Sequence, residues 1–370
     1  MQNQTHPFVF ENGDVQAKAI CDGREIAFKL SSHALCFASP VWKKFVFPPF
    51  PLLRTETPPV DSQIKKPRIS SADPFLDIEL DFTEDNPEAL LVLFRIAHLQ
   101  FSTIPSSLPY ETLHGIAVLC DQYDCRKLVK PWAEAWLRNC WDDARLHPVE
   151  WLWIAYFFGL KQIFQDLAND LAYQAIPGGD GDCLMCCSAS CHKPPCVVDG
   201  STTTTYPLEK EGCPMPHKIS EKLLEFRTRA ISQMLRAITN FMEVLADEES
   251  PFNCKETCTA AMLGFFIKKL KSHSLWPIPK AEDIVSCAFN LHKRIALVLD
   301  QAREARQTIK IPHPGKTCRL EEMLGRVGLG NFYHSRIPPF NMAFGWKDLE
   351  IYHSQMDCAF NDIGYIEEDY

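Results

Sequence analysis

At 370 residues the chain has room for about two domains of ordinary size. A hydrophobic content of 46% with 11% aromatics excludes a chain that is disordered throughout. The formal net charge of −9 gives no overall attraction to phosphate backbones and weighs against nucleic acid as the main partner.

In a small secreted protein, cysteine usage this high (Cys 16) would mean disulfides. Here the opening MQNQTHPFVF has neither the basic start nor the apolar core of a secretory signal, so reduced thiols and a cytoplasmic or nuclear location are expected. The longest aromatic-rich apolar run, residues 151–160, falls well short of the ~20 residues that cross a bilayer, so no membrane is expected as a partner.

Residues 1–11 are polar and read as a loose lead-in. Val15, Ala17 and Ala19 give a weak first strand. Asp22-Gly23 is a strong hairpin turn, because the tight primed geometry needs positive φ, which Gly tolerates and Asp resists least. Ile26, Phe28 and Leu30 alternate with Ala27 and Lys29 as a half-buried strand. Ser32 then reads as the cap of a short helix carrying Leu35 and Phe37. Ser39-Pro40 repeats the device, with Val41, Trp42 and Phe45 behind it.

Prolines 48, 49, 51, 58, 59 and 67 make residues 48–73 an extended loop, which contains Lys65-Lys66-Pro67-Arg68. Leu76, Ile78, Leu80 and Phe82 alternate with Asp77, Glu79 and Asp81, a strand with one buried and one acidic, solvated face. Asp85 or Asn86 caps the next helix, with Pro87 in its first turn and Leu90, Leu93, Phe94 and Ala97 as its stripe. Two helices follow, near residues 110–123 and 125–140. Leu113, Ile116, Ala117 and Cys120 line the first; Leu128, Val129, Trp132 and Trp136 line the second, with Pro131 expected to kink or restart it.

Read together, Asp14-Val15, Asp22-Gly23, Ile26-x-Phe28-x-Leu30-x-x-His33-x-x-Cys36 and Ala38-Ser39-Pro40-Val41 resemble the first half of a BTB/POZ domain. The acidic strand with Asn86-Pro87-Glu88-Ala89-Leu90 is similar to its second half. So is Leu119-Cys120-Asp121-Gln122-Tyr123-Asp124-Cys125-x-x-Leu128-Val129-x-Pro131-Trp132, in the version found in filamentous-fungal members. The resemblance covers residues 12–140 in the right order. It implies a protein-interaction module and no reaction. It also allows self-association through this domain, although residues 1–11 leave little room for the extra strand or helix that some members exchange between protomers.

Pro148 opens another helix that Gly159 can end, and residues 161–175 read as its return partner, so residues 141–176 form a helical extension. Trp151, Trp153, Tyr156, Phe157, Phe158 and Phe164 are too dense for an exposed face. In some BTB adaptors an extension at this place grips a cullin scaffold. Residues 177–216 read as a cysteine-rich loop. After it come three helical patterns within residues 217–308. Ile219, Leu223, Phe226, Ala230, Met234, Ile238, Phe241 and Leu245 mark the first. Cys258, Met262, Phe265 and Leu270 mark the second, and Ile284, Ala288, Leu291, Ile295, Val298 and Ala302 the third. Together they suit an antiparallel bundle. Residues 309–370 form a tail with one short helix near residues 319–327.

The sharpest candidate for chemistry is Cys183-x-x-Cys186-Cys187-x-x-x-Cys191-His192-x-x-x-Cys196, with Cys213 farther on. These thiolate and imidazole groups suit one structural zinc, but the spacing of a DNA-binding finger is missing; a cysteine loop without metal stays open. Cys254 and Cys258 read as helix-start core positions. The motifs HExxH, GxSxG, GxxxxGK[ST] and GxGxxG do not occur.

The expectation is an α+β chain: a BTB/POZ domain, a small sheet with helices, followed by a mostly helical C-terminal region. Its expected role is a non-enzymatic protein-protein adaptor, which the resemblance extends to a substrate adaptor of a cullin-type ubiquitin ligase. The alternative is a nuclear transcriptional or chromatin regulator with zinc in the cysteine-rich loop. No catalytic residue and no cofactor besides that zinc is expected. The structural signature is Asp22, Gly23, His33, Ser39, Pro40, Tyr123, Asp124, Cys125, Pro131 and Trp132.

Overall fold

A computed structural model describes residues 6–48, 79–139, 147–178, 183–186, 205–208, 213–216, 218–247 and 256–308. The chain divides into two compact units between Leu160 and Lys161. That division falls between the two helices expected to form one hairpin over residues 141–176.

The first unit is built on β1 (Val15–Cys21) and β2 (Arg24–Leu30), an antiparallel hairpin whose last pair, Cys21 with Arg24, leaves Asp22-Gly23 as the loop. Both loop residues have positive φ, 50° and 70°, the primed turn that matches strand twist. β3 (Glu79–Phe82) joins the other edge of β1 in parallel, giving the order β2-β1-β3. Its Leu80 and Phe82 are buried while Glu79 and Asp81 face water, as the alternation requires. Lys18, opposite Asp81 in the register, pairs with its carboxylate at 2.9 Å. At Gly13 a Cβ would stand 2.7 Å from the carbonyl carbon of Lys29, so only glycine lets the chain enter β1 so close to the end of β2.

Two short helices follow, α1 (Ser32–Ala38) and α2 (Pro40–Val46). The cap of α1 is Ser31, one residue earlier than expected. Ser32 is instead buried inside the first turn, where its hydroxyl and N–H each donate to the Asp14 carboxylate at 2.6 Å. Phe37 and Phe45, expected behind these caps, point outward, and Leu35, Trp42 and Val46 are the buried positions. Helices of two turns have a narrow apolar stripe, and a shift of one residue at the cap rotates it by ~100°.

α3 (Pro87–Ala97) begins at Asn86, whose side-chain oxygen accepts from the N–H of Ala89 at 2.9 Å. α4 (Tyr110–Gln122), α5 (Arg126–Asn139) and α6 (Pro148–Phe158) complete the unit. α5 runs through Pro131 without a break; its buried apolar positions are Val129, Ala133, Trp136 and Leu137, with Trp132 half-buried. α6 is buried on all sides, which accounts for its dense aromatics, and it ends at Gly159 in the left-handed region, φ 74°. The core centres on Phe94, whose ring lies 5.2 Å from Trp42, 5.3 Å from Phe82, 6.0 Å from Phe10 and 6.1 Å from Phe28. Residues 6–11 are therefore not a loose lead-in. Phe8 and Phe10 are buried, and the Phe8 ring lies tilted 4.7 Å from that of Phe28, so this short segment covers the sheet.

The second unit holds α7 (Lys161–Gln174), α8 (Ile219–Ala246), α9 (Glu256–Ser272) and α10 (Ala288–Thr308). α8 is 28 residues, about 42 Å at 1.5 Å per residue, and all eight expected stripe positions are buried. α8, α9 and α10 pack pairwise, and α7 joins them against α8 and α10. On α9 the expected Met262 and Leu270 are buried, but between them the core position is Phe266, with Phe265 half-buried beside it. Where a cysteine-rich loop was expected, β4 (Ala175–Pro177), β5 (Cys183–Cys186) and β6 (Thr205–Pro207) form an antiparallel sheet with β5 central. The proline-rich loop over 49–73, the first half of the acidic strand and the short helix near 319–327 lie outside the described residues.

Candidate functional site

Five of the signature residues meet at one junction. The Ser39 hydroxyl donates to the Tyr123 carbonyl at 2.5 Å and accepts from the N–H groups of Val41 and Trp42, at 3.1 and 2.9 Å. One hydroxyl thus caps α2 and ties it to the end of α4, while Pro40 supplies the first helical φ. The Tyr123 hydroxyl donates to Asp85 at 2.5 Å, and its ring lies 5.3 Å from Trp42. Burial pushes the Asp85 carboxyl up, partly offset by that bond, and burial together with Asp85 pushes the Tyr123 hydroxyl far up.

Asp124 sits at positive φ, 50°, just past the end of α4. The N–H of Cys125 reaches back to the Cys120 carbonyl at 3.0 Å and that of Asp124 to Asp121 at 3.4 Å, which is a Schellman ending. The apolar contact that accompanies this motif is made by two thiols, Cys125 and Cys120, with sulfurs 3.7 Å apart. Both are buried, and burial first, then Cys125, pushes the Cys120 thiol well up, so it stays protonated. Asp22-Gly23 stays at the hairpin tip, and His33 and Pro131 are exposed.

His98 does the same work as Ser39 on the other side of the core. Its Nε2 accepts from the Ser31 N–H at 2.9 Å, and its Nδ1 faces the Phe94 carbonyl at 2.8 Å, which assigns the proton to Nδ1 and leaves the ring neutral. Burial lowers its pKa, with the Phe94 bond acting in the opposite direction. No local pattern in the sequence marks it, since its partner is 67 residues away.

The surface beside His98 has a different character. α3 ends in a second Schellman turn: Gln100 N–H to the Arg95 carbonyl at 2.8 Å and Leu99 N–H to Ile96 at 3.0 Å. The left-handed position here holds Leu99, φ 62°, where glycine or asparagine is usual. A branched residue at that φ costs about 1–2 kcal/mol, and its side chain is 72% exposed. Around it stand Val9, 65% exposed and tied in by Gln100 donating to its carbonyl at 3.2 Å, and Phe101, 52% exposed. Phe101 lies 5.6 Å from Trp132, which stacks along Trp136; the Trp136 indole donates to the Pro105 carbonyl at 2.8 Å. The result is an apolar patch on a rigid footing.

In the second unit, Cys183 is buried on β5 and Cys186 ends that strand, whereas Cys191, His192 and Cys196 lie outside the described residues, as does Cys254. Cys213 and Cys287 are also buried thiols. Among the described residues no three ligand-type side chains converge. A buried arginine, Arg227 on α8, donates through Nη2 to the Ile284 and Ser286 carbonyls, the latter at 2.7 Å. Burial lowers its pKa, opposed by Cys287 and Cys183 nearby. Among the described residues no helix is long and apolar enough to cross a membrane.

Compared with protein-family models, with curated proteins and with solved structures, the chain matches none.

Proposed function

We propose that the protein is a protein-interaction adaptor, with the first unit as a BTB/POZ-type platform and the helices of the second unit holding a client. The observation that carries this is the patch of Val9, Leu99, Phe101 and Trp132, where a leucine keeps a left-handed backbone while exposing its side chain. Backbone strain retained at an exposed apolar residue points to a use for that residue, since folding alone would favour glycine there. The order of strands and helices in the first unit, β1-β2-α1-α2-β3-α3-α4-α5, follows the segments that carry the resemblance.

Within this proposal the partner of the platform is a cullin scaffold, and the chain is the substrate adaptor of a ubiquitin ligase in the cytoplasm or nucleus. A pull-down with purified cullin tests it. Binding that Leu99→Lys and Phe101→Lys abolish, with melting unchanged, is the expected outcome. Equal retention of cullin by wild type and both variants rejects the patch, and no retention by wild type rejects the cullin.

A further inference from the structure

In the second unit, an open groove of about 450 Å³ runs between the C-terminal part of α8 and α9, lined by Met242, Glu243, Leu263, Ile267, Trp276 and Ile278. Its size is that of a ligand or peptide site. Its one hydroxyl, on Thr239, already donates to the Leu235 carbonyl at 3.1 Å, so the floor offers little to a sugar or a nucleotide. Trp276 is 38% exposed at its edge, an amphipathic anchor of the kind that dominates interface energies.

The lining carries a single charge. Phe241 on α8 meets Phe266 on α9 at 4.9 Å, which holds the two helices side by side along the groove. Glu243, in the last turn of α8 near the negative terminus of its dipole, is the sole charged lining residue.

We propose that this groove receives a short amphipathic helix of a partner protein, with its apolar stripe on Trp276, Leu263 and Ile267 and a lysine or arginine at Glu243. Two neighbouring helices with an apolar trough between them match a third helix that presents residues at i, i+3 or i+4, and i+7. Glu243, the one charge on the lining, sets where the basic residue of that helix falls. Nothing in this rests on the patch of the first unit, so the two can fail separately.

The test is selection from a displayed library of random 12-residue peptides on the purified full chain. The expected consensus has three apolar residues at helical spacing and a basic residue at a fixed spacing from them. The synthetic consensus peptide loses at least tenfold in affinity for Trp276→Ala. Glu243→Lys, an exposed change that leaves folding intact, reverses the preference, so that the peptide with its basic residue replaced by Glu binds that variant at least tenfold better. No consensus, or affinity unmoved by both variants, overturns the proposal. A concentration-dependent dimer abolished by Trp276→Ala gives the groove to a second copy and overturns it too. So does Trp276-dependent binding of a synthetic peptide covering residues 309–320, which would give the groove to the chain itself.

Discussion

Two regions of the first unit use their residues in opposite ways. At the junction of Ser39, Tyr123 and Asp85, the Ser39 and Tyr123 hydroxyls and the Asp85 carboxylate have named partners, and Trp42 turns inward onto Phe94. Around Leu99, three large apolar side chains face water and one of them holds an unfavourable backbone angle. The first arrangement stabilises the fold; the second is tolerated by it. The residues Ser39, Pro40, Tyr123, Asp124 and Cys125 that carry the resemblance thus build the fold of the first unit, and the patch proposed to bind is a separate surface.

The contrast can be broken first at the core. Phe94→Ala should cost about 3–5 kcal/mol, since it removes the ring on which four others pack, and denaturant melts would read it; a loss below ~1 kcal/mol would mean that the core is not centred there. Ser39→Ala comes next, at about 1–2 kcal/mol, because it strips the α2 cap and leaves the Tyr123 carbonyl without its donor.

His98 sharpens the contrast through pH. Its folded pKa is depressed below 6.5, so the unfolded chain binds more protons in between, and its contribution, complete above pH 6.5, fades as pH falls toward the folded value. Stability measured from pH 7.5 to 5 should decline in wild type and decline less in His98→Gln. Smallest is Asp81, held down to about 2 by the Thr83 hydroxyl first and by Lys18. Its contribution is present above the unfolded value of 3.8 and is lost as pH falls toward 2. Asp81→Asn should flatten the melt profile only below pH 4 and leave neutral pH almost unchanged, as suits an exposed pair.

Much of this architecture was legible before any coordinates. Asp22-Gly23, Ser39-Pro40, Asn86-Pro87 and Gly159 are local signals, each decided by the φ or the hydrogen bond that one position requires, and each sits where it was expected. The long stripe on α8 was legible because eight positions agree on one period. What stayed hidden depends on distant partners. Phe8 and Phe10 in a polar opening segment, His98 under Ser31, and Arg227 beneath Ile284 acquire meaning only once chain segments meet. The sheet of β4, β5 and β6 was missed for a related reason: strands of three or four residues are too short to show a period amid glycines and threonines. The patch was hidden as well, because a leucine at a helix end reads as ordinary until its φ is known.

Leu99→Gly tests the central claim most directly, because it relieves the strain and removes the exposed side chain in one step. The thermal midpoint of the first unit should rise by a few degrees, in line with a gain of about 1 kcal/mol, while retention of the proposed cullin partner falls. A lower midpoint, or a partner retained as strongly as by wild type, would contradict the account.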